Sequence, residues 1–213
     1  MSKQTAQVAV IYYPERVNIT KLRAAIDAIA KSPEFKPTLW LKTDAKHTGA
    51  KQAMDAIAKK ATHILVAGGD GTIREVLEAV ARAGAQVSVG VIPSGTGNVL
   101  ARNLGVELGS LNTQVRRALK GIAHPIDLGL ARIILQDGTR EERLFAVMAG
   151  LGLDAKIMLT TDPVKKRRLG WIAYVESGFK AIPLKYQRMS VQVDSREIRR
   201  VRVLTLLIGN VGW

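Results

Sequence analysis

His63-Ile64-Leu65-Val66-Ala67-Gly68-Gly69-Asp70-Gly71-Thr72-Ile73-Arg74-Glu75 changes character in mid-stretch. Ile64–Ala67 is an unbroken apolar run, the mark of a strand buried on both faces. From Thr72 to Ala83 the apolar residues Ile73, Val76, Leu77 and Val80 recur at helical spacing. Between the two lie three glycines around one aspartate, which open backbone conformations closed to other residues and let a ligand approach closely. Thr72 and Glu75 read as a capping box, T-x-x-E, which would start the helix where the glycines end. A helix N-terminus behind a glycine loop is an anion site, and phosphate is its usual anion.

The alternation continues on both sides. Gln7–Tyr13, Thr38–Lys42 and Val87–Ile92 are strand-like, and Thr20–Lys31, Thr48–Lys60 and Asn98–Leu104 carry helical apolar stripes. This order predicts an α/β fold, a parallel sheet covered by helices, in which ligands bind at the C-terminal ends of the strands. A further helix is expected near Leu111–Lys120, and then the texture changes. Pro125–Gln136 and Glu141–Ala149 flank Asp137-Gly138 and read as a β-hairpin; helical patterning returns at Asp154–Leu159 and Arg168–Lys180. Tyr186–Val193 and Ile198–Ile208 read as a second hairpin around Asp194-Ser195. The expected division is an N-terminal α/β domain over residues 1–123, to which the resemblance described below assigns nucleotide binding, and a β-rich, sandwich-like domain over residues 124–213. Ending after the apolar run Val201–Ile208, the second domain is expected to be incomplete, with an unpaired edge.

Composition narrows the class. Thirty-two Lys and Arg against 18 Asp and Glu give +14 over 213 residues, with 47% apolar content. That content excludes intrinsic disorder and suffices for a real core. No apolar run approaches the roughly 18 residues of a membrane-spanning helix, and no signal-peptide core follows Met1, so a cytoplasmic location is expected. The absence of cysteine excludes disulfides, thiolate catalysis and zinc–cysteine sites.

Pro93-Ser94-Gly95-Thr96-Gly97-Asn98 repeats the strand-to-helix arrangement, with Asn98 placed to cap the helix that follows. Two consecutive glycine-rich, hydroxyl-bearing loops suggest a shared polyphosphate cradle. Neither is a Walker loop, since the chain has no Gly-Lys dipeptide. Neither is a dinucleotide fingerprint, since Leu100 stands at the third glycine position. Within the cradle Asp70 is the candidate to hold Mg2+ or a hydroxyl proton.

Taken together, Gly68-Gly69-Asp70-Gly71-Thr72 with Glu75, then Pro93–Asn98 with Ala101-Arg102, resemble the catalytic domain of the diacylglycerol kinase family, which includes bacterial lipid kinases and sphingosine kinases. Asp127-Leu128-Gly129, Phe145–Ala149 with Gly150–Ala155, and Leu169–Tyr174 resemble segments of that family's second domain. The resemblance implies ATP bound between the loops, Mg2+, and phosphoryl transfer to a lipid hydroxyl. It places Gly68, Gly69, Asp70, Gly71 and Thr72, then Gly95, Thr96, Gly97 and Asn98, along the nucleotide, with Thr43 and Glu75 nearby. Asp70 would anchor the phosphate–metal cluster, since phosphoryl transfer depends on positioning and charge neutralisation. Two departures stand out. Tyr13-Pro14 replaces the family's usual Asn-Pro, and the acidic general base is expected beyond Trp213. The short chain is therefore expected to bind ATP weakly and turn over little lipid.

Other residues admit plainer readings. Arg102 touches phosphate or is a solvated helix arginine; Asp154 is an N-cap or a second catalytic carboxylate; Asp127 is structural. Trp40 and Trp171 are core. His47, His63 and His124 lack metal-ligand spacing. Lys165-Lys166-Arg167-Arg168 and Arg196, Arg199, Arg200, Arg202 form two basic clusters, either a solvated face or a surface for an anionic membrane carrying the lipid substrate. No helix-turn-helix, zinc or RNP-type motif supports nucleic acid as partner, and a homodimer is left open. The rival readings are an NAD-kinase-like enzyme using the same loop and an inactive fragment that binds nucleotide or membrane.

Overall fold

Residues 5–44, 46–106, 108–135, 137–152 and 186–211 are described by the computed structural model. In chain order they form β1 (Val8–Tyr12), α1 (Ile19–Ala30), β2 (Leu39–Lys42), α2 (Ala50–Ala58), β3 (His63–Gly68), α3 (Asp70–Arg82), β4 (Ser88–Pro93), α4 (Val99–Asn103), α5 (Leu111–Lys120), β5 (Gly129–Ile134), β6 (Arg140–Phe145), β7 (Met148–Gly152), β8 (Gln187–Val191), β9 (Arg199–Val203) and β10 (Thr205–Gly209). Residues 1–147 make one compact unit and residues 148–213 another. The composition change near Ala123–Asp127 falls inside the first.

In the first unit β1–β4 form one parallel sheet in the order β2-β1-β3-β4. The α/β class expected from the alternating periods is what the chain adopts. Apolar side chains on successive residues of β1 and β3 go to opposite faces. Val8, Val10, Leu65 and Ala67 pack with Leu22 and Ile26 of α1 and Val115 and Leu119 of α5. Ala9, Ile11, Ile64 and Val66 pack with Ala53 and Ala56 of α2 and Ile73 and Val76 of α3. Burying each large aliphatic side chain contributes about 1.5–3 kcal/mol, so these two layers hold the sheet rigid behind the loops at its C-terminal ends. Asn18 and Ser110 start α1 and α5 by accepting the backbone N–H of Lys21 and Thr113.

The order β2-β1-β3-β4 matters for function. From β1 the chain leaves to one side through β2 and returns to the other through β3. The loops after β1 and β3 therefore diverge and leave a crevice, which in open α/β sheets is where ligands bind.

The β5–β6 hairpin is antiparallel, as expected from Asp137-Gly138. It lies along α3, where Arg82 donates to the Glu142 carbonyl at 2.9 Å. In the second unit β8 pairs with β9 around Asp194, which adopts a left-handed φ of 53°. The expected single strand Ile198–Ile208 is corrected: it breaks at Leu204, and β10 pairs antiparallel with β7. The break follows from Gly152, whose φ is +98° and where a Cβ would lie 2.6 Å from the Leu204 carbonyl oxygen. At that contact the chain turns from one partner strand to another, so Val201–Val203 pairs with β8 and Thr205–Ile208 with β7, each on one edge. The expected helices at Asp154–Leu159 and Arg168–Lys180 lie outside the described residues. Among the described residues no helix is long and apolar enough to cross a membrane.

Candidate phosphate-binding site

The loop after β3 is short because Gly68 is still paired in the sheet, opposite Pro93, and α3 begins two residues later. The helix starts at Asp70 rather than Thr72, with Gly69 as an extended N-cap residue that makes no side-chain cap. The capping box is thus corrected. Entry into the helix at Asp70 makes Thr72 a first-turn residue, and Glu75 is bonded instead to its neighbour Arg74. The first N–H groups of a helix have no intrahelical acceptor, so α3 offers them at this end. A Cβ added at Gly71 would meet nothing within 4 Å, so this rim faces open space.

The loop after β4 is locked to the first. Ser94 N–H donates to the Gly68 carbonyl at 3.1 Å. A Cβ at Gly95 would lie 2.7 Å from the Cα of Gly69, so the two backbones touch where only glycine fits. Asn98 stands at the N-cap of α4, but its side chain does not cap. Its amide instead turns back on Gly95, accepting from the N–H and donating to the carbonyl, both at 2.9 Å. Asn98 is 8% exposed and holds φ 49°, a left-handed value that asparagine tolerates better than most residues. The capping role passes to Asp70, whose carboxylate accepts Leu100 N–H at 3.3 Å. Its other oxygen would lie 3.1 Å from a Cβ at Gly97, so Asp70 reaches across the gap between the loops.

Two further loops border these. Thr43 is 3% exposed and donates its hydroxyl to the Tyr12 carbonyl at 3.2 Å, so its side chain joins the ends of β1 and β2. Tyr13 N–H donates to the Ala67 carbonyl, which holds the loop after β1 against β3. From that loop Arg16 donates to Thr96 Oγ1 at 3.2 Å. Because β3 lies between β1 and β4, this bond spans the Gly68–Thr72 loop from one side to the other. Arg102 donates to the Gly97 carbonyl at 3.1 Å, a loop-bracing role. After β2, His47 binds Asp44 through its backbone N–H and its ring, and these bonds, with Lys46 N–H, hold the Asp44 carboxyl below its ordinary value.

The structure therefore gathers Gly68, Gly69, Asp70, Gly71, Thr72, Gly95, Thr96, Gly97 and Asn98 into one cradle, with Thr43 structural beside it and Glu75 on the flank of α3. Asp154 and Lys165–Arg168 lie outside the described residues. Two residues escaped the sequence reading. Arg16 has no local signature, and only the strand order brings its loop beside Thr96. Ser94 lies within the quoted motif, yet only the structure reveals its buried Oγ, which has no partner among the described residues.

These features fit a polyphosphate and its cation. The orphaned buried hydroxyl of Ser94 is a donor with no acceptor, the Arg16 guanidinium over the rim is a second donor, and a side chain at Gly95 would fill the contact between the loops. Among the described residues no three His, Asp or Glu side chains gather as a metal site. Mg2+ held by one carboxylate and by substrate phosphates needs no such cluster, and Asp70 fits that style of ligation.

Comparison with known proteins accords with this geometry. Residues 10–131 match the family model described as diacylglycerol kinase catalytic domain. The chain is 33% identical over 158 residues to a Pseudomonas putida protein named probable lipid kinase YegS-like, covering 73% of this chain and 49% of that one. It is 30% identical over 172 residues to the diacylglycerol kinase of Bacillus subtilis, covering 79% and 52%. It thus spans about half the length of the curated relatives it matches. A crystal structure of a diacylglycerol kinase from Bacillus anthracis str. Sterne superimposes with a TM-score of 0.70 at 21% identity, over 97% of this chain and 65% of that one. A second structure from the same organism gives 0.74 at 22%, over 99% and 66%.

Proposed function

Because the chain belongs to the diacylglycerol kinase catalytic-domain family, we propose that its cradle binds Mg2+·ATP for transfer of the γ-phosphoryl group to a lipid hydroxyl, diacylglycerol-like or sphingoid-like. The observation that carries this reading is the contact between the two glycine loops, bridged by Asp70 beside the crevice between β1 and β3. Family membership supports lipid kinase activity in general terms; the nucleotide, the cation and the acceptor are the proposal.

Each residue has a task in it. The first-turn N–H groups of α3 and the backbone around Gly71 take phosphate oxygens. Ser94 donates its unpaired hydroxyl. Arg16 exchanges Thr96 for phosphate and adds a positive charge across the rim. Asp70 supplies the carboxylate for Mg2+, whose charge offsets that of the transferring group. A bilayer supplies the lipid and the protein works at its surface.

The experiment is transfer of labelled phosphate from γ-labelled ATP in Mg2+, with a mixed-lipid panel and with NAD as competing acceptor. Label is expected in lipid at a low rate, and Asp70→Asn is expected to lower transfer by about a hundredfold or more while preserving the fold. The substitution keeps an oxygen for Leu100 N–H and removes only the charge. Label in NAD alone, or parental transfer by Asp70→Asn, would overturn the reading.

A further inference from the structure

The β8–β9 hairpin, taken within its own unit, sorts its charges by face. Arg188 stands opposite Arg202, Ser190 opposite Arg200, Gln187 opposite Val203, Met189 opposite Val201 and Val191 opposite Arg199. Opposed residues share a face and successive ones alternate. One face therefore carries Arg188, Ser190, Arg200 and Arg202, all exposed. The other carries the half-buried Met189, Val191, Val201 and Val203, with the exposed Gln187 at one end and Arg199 at the other.

The arginine face holds no carboxylate, and among the described residues none of its three arginines is in an ion pair. Like charges directly opposite each other destabilise a strand pair, so Arg188 against Arg202 is an arrangement that counter-charge from outside would relieve. Arg202 also lies over the Tyr186 ring at 5.1 Å, and Tyr186 is itself exposed. At the turn, Val193 and Ile198 are 57% and 62% exposed. Guanidinium groups beside exposed apolar and aromatic side chains match the headgroup zone of a bilayer, which offers phosphates and acyl chain within a few ångströms. A nucleic-acid strand would answer the arginines but give Val193 and Ile198 nothing apolar to bury against.

We propose that the Arg188–Arg200–Arg202 face of this hairpin, with Val193 and Ile198 at its turn, docks the protein on a bilayer of anionic phospholipid. The choice of a bilayer rests on the lipid-kinase reading, which puts the acceptor there.

The test is sedimentation of the full chain with vesicles of phosphatidylcholine alone and of phosphatidylcholine mixed with phosphatidylglycerol, without nucleotide. The protein partitions onto the anionic vesicles. Basic residues near such a surface are worth about fivefold each in partitioning, so Arg188→Gln/Arg200→Gln/Arg202→Gln loses about a hundredfold. Lys36→Gln/Lys59→Gln/Arg116→Gln removes the same formal charge from exposed positions of the first unit and stays within about threefold of the parent. As a finer control, Arg200→Gln falls about fivefold while its neighbour Arg199→Gln, on the opposite face, does not. Equal losses in the two triple variants, or in Arg199→Gln and Arg200→Gln, would overturn the proposal, because net charge alone would then explain binding. RNA bound more tightly than anionic vesicles through the same three arginines would overturn it in favour of nucleic acid. Because partitioning is read without turnover, a chain that binds vesicles through this face yet passes label from ATP to NAD alone would sink the lipid-kinase reading and leave the docking surface standing.

Discussion

A Cβ added at Gly71 meets no atom within 4 Å, whereas one added at Gly95 lies 2.7 Å from the Cα of Gly69. The loop after β3 and the loop after β4 look like twins in sequence, and this contrast separates them. The first uses glycine to leave its rim open toward a ligand. The second uses glycine so that protein backbone can press on protein backbone, with Asn98 clamping Gly95 from within. The first presents backbone donors; the second fixes where they sit and adds the Ser94 hydroxyl.

The comparison can be broken most severely at Gly95. Gly95→Ala is expected to cost about 1–3 kcal/mol in stability, the usual range for overpacking, and to weaken ATP binding with it. Thermal unfolding and calorimetric titration of ATP read the two effects, and a parental result in both would erase the distinction between the loops. Asn98→Ala comes next. It removes two hydrogen bonds, each worth about 1 kcal/mol, from a buried site. Asn98→Gly is expected to lose the same bonds but relieve the left-handed backbone, so it should melt above Asn98→Ala. The reverse ranking would mean the clamp is not what holds the loop.

Gly71→Ala sharpens the contrast from the other side. At a helix position with open space around it, alanine is expected to leave stability unchanged or raise it by up to about 1 kcal/mol, yet to weaken ATP binding. A fall in melting temperature would show that Gly71 serves the fold after all.

The smallest effect lies at the opposite end of β3, where pH acts on the sheet through His63. Burial of His63, helped by the Lys120 ammonium, holds its imidazole below the ordinary 6.5. The unfolded chain then binds more protons than the folded one between those two values. Stability is complete above the ordinary value and declines as pH falls through it toward the lowered one. His63→Gln is expected to flatten this part of the stability–pH profile; an unchanged slope would assign it to another group.

Much of this was legible beforehand because it depends on local pattern. Ile64–Ala67 followed by three glycines and a helical stripe locates a βα turn without any knowledge of its neighbours. The start of α3 was misplaced because T-x-x-E competes with a simpler outcome. Gly69 is already extended and can act as N-cap, so Asp70 enters the helix and spends its carboxylate on α4. Arg16 and Ser94 depend on which loop lies beside which, a property of strand order that no spacing encodes. The break at Leu204 depends on a distant glycine, Gly152, and an apolar run carries no trace of a change of partner.

The strand order has a consequence for how the chain is born. Val8, Ala9, Val10 and Ile11 are completely buried, and β1 lies between β2 and β3. During synthesis β1 emerges first, yet its second neighbour ends at Gly68. At about 5–20 residues per second, translation leaves one edge of the most apolar strand unpaired for roughly 3–10 s. Throughout that interval the nascent chain exposes a sticky edge, so the arrangement that places the crevice beside Gly68 also opens a window for misassociation while β1 waits for β3.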